Sequence, residues 1–528
     1  MKISKKILLI SMLVMLVCCV SAVSATDING TDDVSDDIII DEIADDTVVD
    51  EVTDLVEDVN VDDTQDNVVD EGNLRGTSLV VDTTNYTNYF DANGNFNGSN
   101  IDDLTFDGNF GPQSYGNFKF NNEIRITSTP GSTFTNVGFD LKGDRVTVND
   151  CTFIFNEPTN IHAGLNVTGA QGKILNSRIN VTAPENSTFN AIDVYGASNV
   201  KIFNNTLTYN CSYRNNESYN YVIKGKNAAD LNITGNTIYA YLPLKKVEWS
   251  LSGSIDADYV AGIAVESSNN AKIIDNTLDV KGTLRGYSFP TLDAIILANS
   301  DDVYVEHNTI RESDIVTVSG QASYLYGIDV YSCNNIKIGY NDITMNGNKS
   351  GGHIEGNGTG ASYCIQLTGH HGVSIYYNNL STSNEGPNLA IYSQNYAELD
   401  SHLTVYGNNI SVTGKAGNDP WSLVSGIETQ DKHAEIYDNN IKVNNTAGYT
   451  AGNYAFGISY AQWINGTHDY NIHDNHVEVI NGDYAVYLIN ETVVTGEVSM
   501  NELTVIGNTT KQGDCAVFAP STNVLDNY

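Results

Sequence analysis

Several groups of residues in this chain are of types that do chemistry. The run Gly369-His-His-Gly-Val-Ser-Ile375 sets two imidazoles side by side, and imidazole serves acid–base work and metal ligation near neutral pH. Asp275, Asp279, Glu306, His307 and Arg311 place carboxylates, an imidazole and a guanidinium in two neighbouring stretches, with Asp301-Asp302 between them and Asp193 and Asp329 to either side. Glycosidic hydrolysis needs two carboxyls about 5 to 9.5 Å apart. Tyr376, Tyr406, Tyr437, Trp249 and Trp421 carry rings that can pack on sugar faces or on a protein partner. Whether any of these side chains meet depends on the elements that carry them.

Those elements repeat. Val200-Lys-Ile-Phe-Asn-Asn-Thr-Leu207 returns as Ala271-Lys-Ile-Ile-Asp-Asn-Thr-Leu278, Ile336-Lys-Ile-Gly-Tyr-Asn-Asp-Ile343, Leu403-Thr-Val-Tyr-Gly-Asn-Asn-Ile410 and Ala434-Glu-Ile-Tyr-Asp-Asn-Asn-Ile441. The anchoring asparagines are Asn205, Asn236, Asn276, Asn308, Asn341, Asn378, Asn408, Asn439, Asn475 and Asn508, spaced by about 30 to 40 residues, the range of stacked repeats. Five and three residues before the Asn stand apolar residues with a polar one between, as in Val303 and Val305 or Ile336 and Ile338. This period of two marks a half-buried strand. Two residues after the Asn another apolar residue follows, and a third strand precedes the phrase, as in Gly262-Ile-Ala-Val265 or Cys364-Ile-Gln-Leu367. Three short strands per period without helical segments predict an all-β solenoid, each strand pairing in parallel with its copy in the next coil. About thirteen coils from residue 120 onward at about 4.8 Å per coil give a rod roughly 60 Å long. Asn suits the turn by tolerating the left-handed region and by bonding the equivalent amide above and below, so the ten asparagines read as a structural ladder.

That coil arithmetic tests the chemistry. Asp193 and Asp329 share a phase but stand four coils apart, roughly 19 Å, too far to cooperate. Asp279 and Arg311 share a phase on successive coils, which predicts an ion pair; the alternative there is a lyase site with calcium and an arginine base. No catalytic residues and no metal or cofactor are assigned. Tyr376, Tyr406 and Tyr437 fall two residues before the Asn on three successive coils, with His473 next, and should form an outward ladder. Extra residues fall in Leu242 to Val260, Lys281 to Thr291, Ser313 to Tyr326, Asn346 to Ser362 and Thr413 to Ser425, all at the same phase. They should stack into one irregular wall holding Trp249 and Trp421, the face that binds in many repeat proteins.

Composition narrows the setting. With 65 Asp and Glu against 26 Lys and Arg over 528 residues, the net charge of −39 excludes general nucleic-acid binding. Lys2, Lys5 and Lys6, then the apolar Ile7 to Val20 and small residues to Ala25, read as a signal peptide over 1–25, with no transmembrane stretch after it. The 26–74 segment carries 19 acids from Asp27 to Glu71 and reads as a disordered acidic stalk. A cap over 75–119 and the solenoid over 120–528 complete the division. Cys151, Cys211, Cys333, Cys364 and Cys515 show neither zinc spacing nor a disulfide framework and read as packed thiols. About eighteen Asn-x-Ser/Thr sequons suit a secreted, glycosylated surface.

The recurrent phrase over roughly 120–520 resembles the right-handed parallel β-helix of the pectate-lyase-like superfamily. Asn85-Tyr-Thr-Asn-Tyr-Phe-Asp-Ala-Asn-Gly94 and Leu104-Thr-Phe-Asp-Gly-Asn-Phe110, with the signal peptide and acidic leader, resemble adhesin-like surface proteins of methanogenic archaea. The resemblance implies an extracellular, secreted or cell-surface protein that binds glycans or proteins of another cell. The superfamily also holds polysaccharide lyases and hydrolases, and an enzyme of that kind is the alternative; a structural envelope component is the third. Gly369-His-His-Gly is similar to the Gly-His-Gly of polygalacturonases, but their Asn-Thr-Asp and Arg-Ile-Lys partners are absent, and His370 and His371 read as turn residues.

Overall fold

The computed structural model describes residues 77–528 other than 184–187, 212–219, 243–259, 283–290, 315–323, 348–360, 385, 396–398, 418–422, 461–466, 489–492 and 508. The expected signal peptide and acidic stalk therefore lie outside the described residues, as do Trp249, Trp421 and most of the loop wall.

Gly76–Tyr528 is one compact unit built as a parallel β-helix. Each coil lays down three strands in turn, one in each of three long sheets. Among the described residues, sheet I has 14 strands, sheet II 16 and sheet III 15. One coil shows the pattern: Tyr324–Tyr331 in sheet I, Ile336–Gly339 in sheet II and Asp342–Asn346 in sheet III. Every strand pairs in parallel with its copies in the coils before and after, apart from Lys511–Gln512, which pairs antiparallel with Glu502–Ile506 at the C-terminal end. There the chain turns back over the open edge of sheet III, and Tyr528 takes up backbone donors from Leu503 and Gly513. A short antiparallel strand of this kind hinders the sheet III edge from pairing with another chain.

The period-two phase sets what lies inside. Val305, Ile338, Ile375, Val405 and Ile436 are register partners in sheet II and are fully buried. Ile310, Ile343 and Leu380 line sheet III, and Ile295, Ile328 and Ile365 line sheet I, in the same way. Each such side chain contributes about 1.5–3 kcal/mol on burial. Toward the N-terminal end the filling changes to rings. Phe106, Phe118, Phe134, Phe139 and Phe153 are fully buried and form an unbroken aromatic core. The strands Thr77–Asp82 and Ile101–Asp107, in the region expected as a cap, already belong to sheet II.

The asparagine ladder occupies the turn between sheets II and III. The backbone N–H of Asn308 donates to Asn341 Oδ1 at 2.9 Å, and Asn308 Nδ2 donates to Asn341 Oδ1 at 3.0 Å and to the carbonyl of Ile273 at 2.8 Å. The same set recurs through Asn205, Asn236, Asn276, Asn341, Asn378, Asn408, Asn439 and Asn475, all buried. Two expectations are corrected. The rung after Asn475 is Asn501, followed by Asn527, and not Asn508, which lies outside the described residues. Val498 and Leu503 flank Asn501 at the same offsets as the preceding rungs, whereas Leu503 to Ile506 of the phrase belong to a sheet III strand. The left-handed backbone also belongs to the residue before each rung rather than to the Asn: Asp275, His307, Tyr340, Tyr377, Asp438, Asp474 and Met500 have φ between 51° and 56°. Asn is selected at the rung for its amide. The last rung, Asn527, donates through Nδ2 to Asp514 Oδ1 at 2.8 Å.

Candidate functional site

The outward tyrosines form the expected ladder. Tyr376, Tyr406 and Tyr437 are register partners on three consecutive sheet II strands, Gly372–Tyr376, His402–Tyr406 and His433–Tyr437. Their rings stack at 5.5 Å and 12°, then 5.1 Å and 3°, and His473 continues the stack at 5.2 Å and 3°. Tyr376 leans back over Gly339, where a Cβ would come within 2.3 Å of its Cε2. That gap lets its hydroxyl donate to Glu306 two coils earlier. Burial raises the phenols of Tyr376, Tyr406 and Tyr437 above the ordinary tyrosine value, so all three remain hydrogen-bond donors at neutral pH.

A second column, not anticipated, runs beside the first in the turn. His307, Tyr340 and Tyr377 each stand immediately before a ladder Asn and stack in series at 4.9 Å and 2°, then 5.3 Å and 21°. Tyr377 rests on Gly407, the next residue of the column, where a Cβ would meet its Cδ1 at 2.5 Å. The two columns meet edge to face: Tyr377 lies at 89° to Tyr376 and 80° to Tyr406. The result is a continuous surface of seven rings on six coils. Within the ladder the ring faces are taken up by one another, so its members are half-buried; Tyr340 and Tyr377 are 48% and 52% exposed. Their signal in the sequence was the position one before the Asn, beside the position that was read.

Among the described residues, the polar groups singled out from the sequence do not come together as one catalytic set. Asp193 and Asp329 are linked in register through Lys224, Ala264 and Ile296, four coils apart as expected. Burial pushes the Asp329 carboxyl up to about 7 and that of Glu428 up to about 8, values suited to proton transfer. These two are separated by Gln366 and Tyr392 along sheet I, three coils or about 14 Å. That is outside the range for paired carboxyls. Asp279 and Arg311 are register partners, but the expected pair does not form: Arg311 bonds Asp342 on the following coil, and Lys281 holds Asp279 at 2.9 Å. Lys281 lies two residues along the same strand and reaches Asp279 without crossing a coil.

His371 is an exposed turn residue as expected, whereas His370 is fully buried in a polar knot at the corner between sheets I and II. His370 Nε2 lies 2.9 Å from Ser393 Oγ and 3.2 Å from Asp431 Oδ1. The Asp431 carboxylate also accepts from Ser393, Asn395 and Thr429. Burial would raise the Asp431 carboxyl, but His370 and these donors together hold it below the usual range. Ser, His and Asp are thus together, yet each is sealed from solvent, so no substrate reaches them and they act as a buried brace. Cys151, Cys211, Cys333 and Cys364 are free and buried, as packed thiols should be, while Cys515 is free and exposed.

No protein-family model matches the chain, and no curated protein does. Solved structures with some similarity include the alginate lyase AlyF-OU02 in complex with G6, at a TM-score of 0.32 and 11% identity over 86% of this chain and 97% of that one. A PL6 alginate lyase in complex with a trisaccharide gives 0.30 and 12% over 85% and 88%, and the receptor-binding domain of the Siphovirus 9NA tailspike 0.20 and 11% over 86% and 77%. At such scores the overlaps carry nothing about chemistry at any residue, and the functional reading rests on the geometry above.

Proposed function

We propose that the protein is a secreted or cell-surface, adhesin-like rod that binds glycans on the joined tyrosine columns. The observation that carries this is the conformation of Tyr340 and Tyr377. Both hold left-handed backbone, φ 55° and 51°, which costs a residue with a Cβ about 1–2 kcal/mol, and both leave about half of a large ring in solvent. Gly235 and Gly407 fill the same turn position elsewhere on the rod without that cost. Met500 bears the same backbone cost at a similar exposure, so it is that cost combined with a large ring left in solvent against the tyrosine ladder that points to use at the surface. Protonated phenols around ring edges supply donors for sugar hydroxyls. The net charge of −39 repels uronate polymers and favours neutral glycans. The separation of Asp329 from Glu428 speaks against a hydrolase that uses these two carboxyls as its pair.

The test is a glycan array probed with the full chain, with uronate polymers assayed in parallel for cleavage. Saturable binding to a neutral glycan, weakened roughly tenfold or more in the Tyr340→Gly/Tyr377→Gly variant, is expected. Cleavage of any polymer would establish the enzyme alternative, and absence of any saturable ligand would leave a structural envelope rod.

A further inference from the structure

We propose that Asp400, His402 and His433 form a site for a divalent transition-metal ion of the zinc class on the outer face of sheet II. Among the described residues these are the three whose donor atoms come together, all within 4.8 Å of one another. The fold places them. His402 and His433 are register partners opening the strands His402–Tyr406 and His433–Tyr437, so their rings stack at 4.6 Å and 13°. The backbone N–H of His402 is held by the carbonyl of His371 at 2.9 Å, and that of His433 by the carbonyl of Ser401 at 3.0 Å. Asp400 brings Oδ1 to 3.5 Å from His433 Nε2.

Two imidazoles and one carboxylate are a donor set for zinc and its neighbours, while calcium and magnesium take oxygen. With zinc–nitrogen bonds of about 2.0–2.1 Å, tetrahedral donors stand about 3.3 Å apart. The side chains must therefore close by roughly 1.5 Å, a rotation that these solvent-accessible rings can make while their backbone stays fixed. One group opposes the ion. Lys432 Nζ is 3.0 Å from Asp400 Oδ1 and, with its hydrogen bond and charge, is the main reason the Asp400 carboxyl lies below its ordinary value. Binding displaces this ammonium from the carboxylate. Three protein donors leave a fourth position for water or for a donor atom of a bound ligand.

The full chain, stripped with a chelator and titrated calorimetrically with ZnCl2 at about pH 7.5, should take up zinc at a saturable site. Co2+ in its place should give visible absorption from the bound ion. His402→Ala and His433→Ala should each weaken zinc binding roughly tenfold or more, while Lys432→Met should tighten it several-fold. His476→Ala, at a separate pair with Glu502, should leave it unchanged. Circular dichroism checks that the variants keep the parent fold. Zinc binding that survives the His402→Ala/His433→Ala double variant undiminished, or that the parent chain lacks, overturns the assignment.

Discussion

The rod carries aromatic stacks in two places, one inside its N-terminal coils and one outside its later coils. Inside, Phe110, Phe134 and Phe153 stack at 5.5 Å and 5.0 Å; outside, Tyr376, Tyr406 and Tyr437 stack at 5.5 Å and 5.1 Å. The spacing is common to both because the coil repeat imposes it on whatever rings share a phase. Stacking by itself therefore says nothing about purpose. The surroundings differ. Phe139 meets Phe106, Phe118, Phe120, Phe134 and Phe153 and sits in an ordinary strand, so local and global preferences agree. Beside the outer stack, Tyr340 and Tyr377 occupy a backbone conformation that disfavours them. Use at a surface shows where a residue's own preference and its position conflict.

The comparison fails if inner and outer rings matter equally to folding. Phe139→Ala should cost about 3–5 kcal/mol in denaturant unfolding, against about 1 kcal/mol for Tyr406→Ala; equal losses would make the outer stack scaffold. The same contrast holds for amides. Asn341→Ala strands the buried N–H of Asn308 and should cost about 1–3 kcal/mol. Asn409→Ala, on the exposed row where Asn409 donates to Asn379 and accepts from Asn440, should change stability by less than about 0.5 kcal/mol. A pH effect sharpens the contrast on sheet I. Because burial raises the Glu428 carboxyl to about 8 in the folded chain, the unfolded chain releases this proton first. Stability should fall as pH rises from the ordinary carboxylate range to about 8, then level off. Glu428→Gln should raise Tm at pH 8 and leave it nearly unchanged at pH 4, which thermal scans would show. The smallest effect is expected for Tyr340→Gly/Tyr377→Gly. Relief of the left-handed backbone offsets the lost ring contact, and Tm should hardly move. A large drop in Tm would mean that these rings support the fold.

Much of this architecture was legible because a solenoid writes its geometry locally. Apolar residues at fixed offsets from Asn308 or Asn439 give the strands, their inward face and the register together. The slip at Asn508 shows the limit: Leu503-Thr-Val-Ile-Gly-Asn508 matches Leu403-Thr-Val-Tyr-Gly-Asn408 in all but one residue, Ile506 for Tyr406, yet Leu503 to Ile506 lie in a sheet III strand, one strand further along the coil. Contacts at the corners were less readable. His370 and Asp431 meet two coils apart in turns that no apolar phase marks, and Asp342 rather than Asp279 takes Arg311 because a same-strand lysine competes. The tyrosine ladder was visible as a phase. The neighbouring column was missed because the turn residue before the Asn varies among Gly, Asp, Asn, His, Tyr and Met, so only its backbone conformation is constant.

The asparagine ladder also has a direction. Each amide turns its oxygen toward the preceding coil and one of its N–H bonds toward the next, from the Ser177 N–H that bonds Asn205 through to Asn527. The amide dipoles therefore add along the axis instead of cancelling, and each bond polarises its neighbours in a buried column. Such a column carries partial positive charge at the end where its donors point. That end is where the Asp514 carboxylate accepts from both the backbone N–H and Nδ2 of Asn527, a counter-charge placed as an acid is at the start of a helix. The rod is thus electrically polar along its length, with its C-terminal pole neutralised by a single side chain.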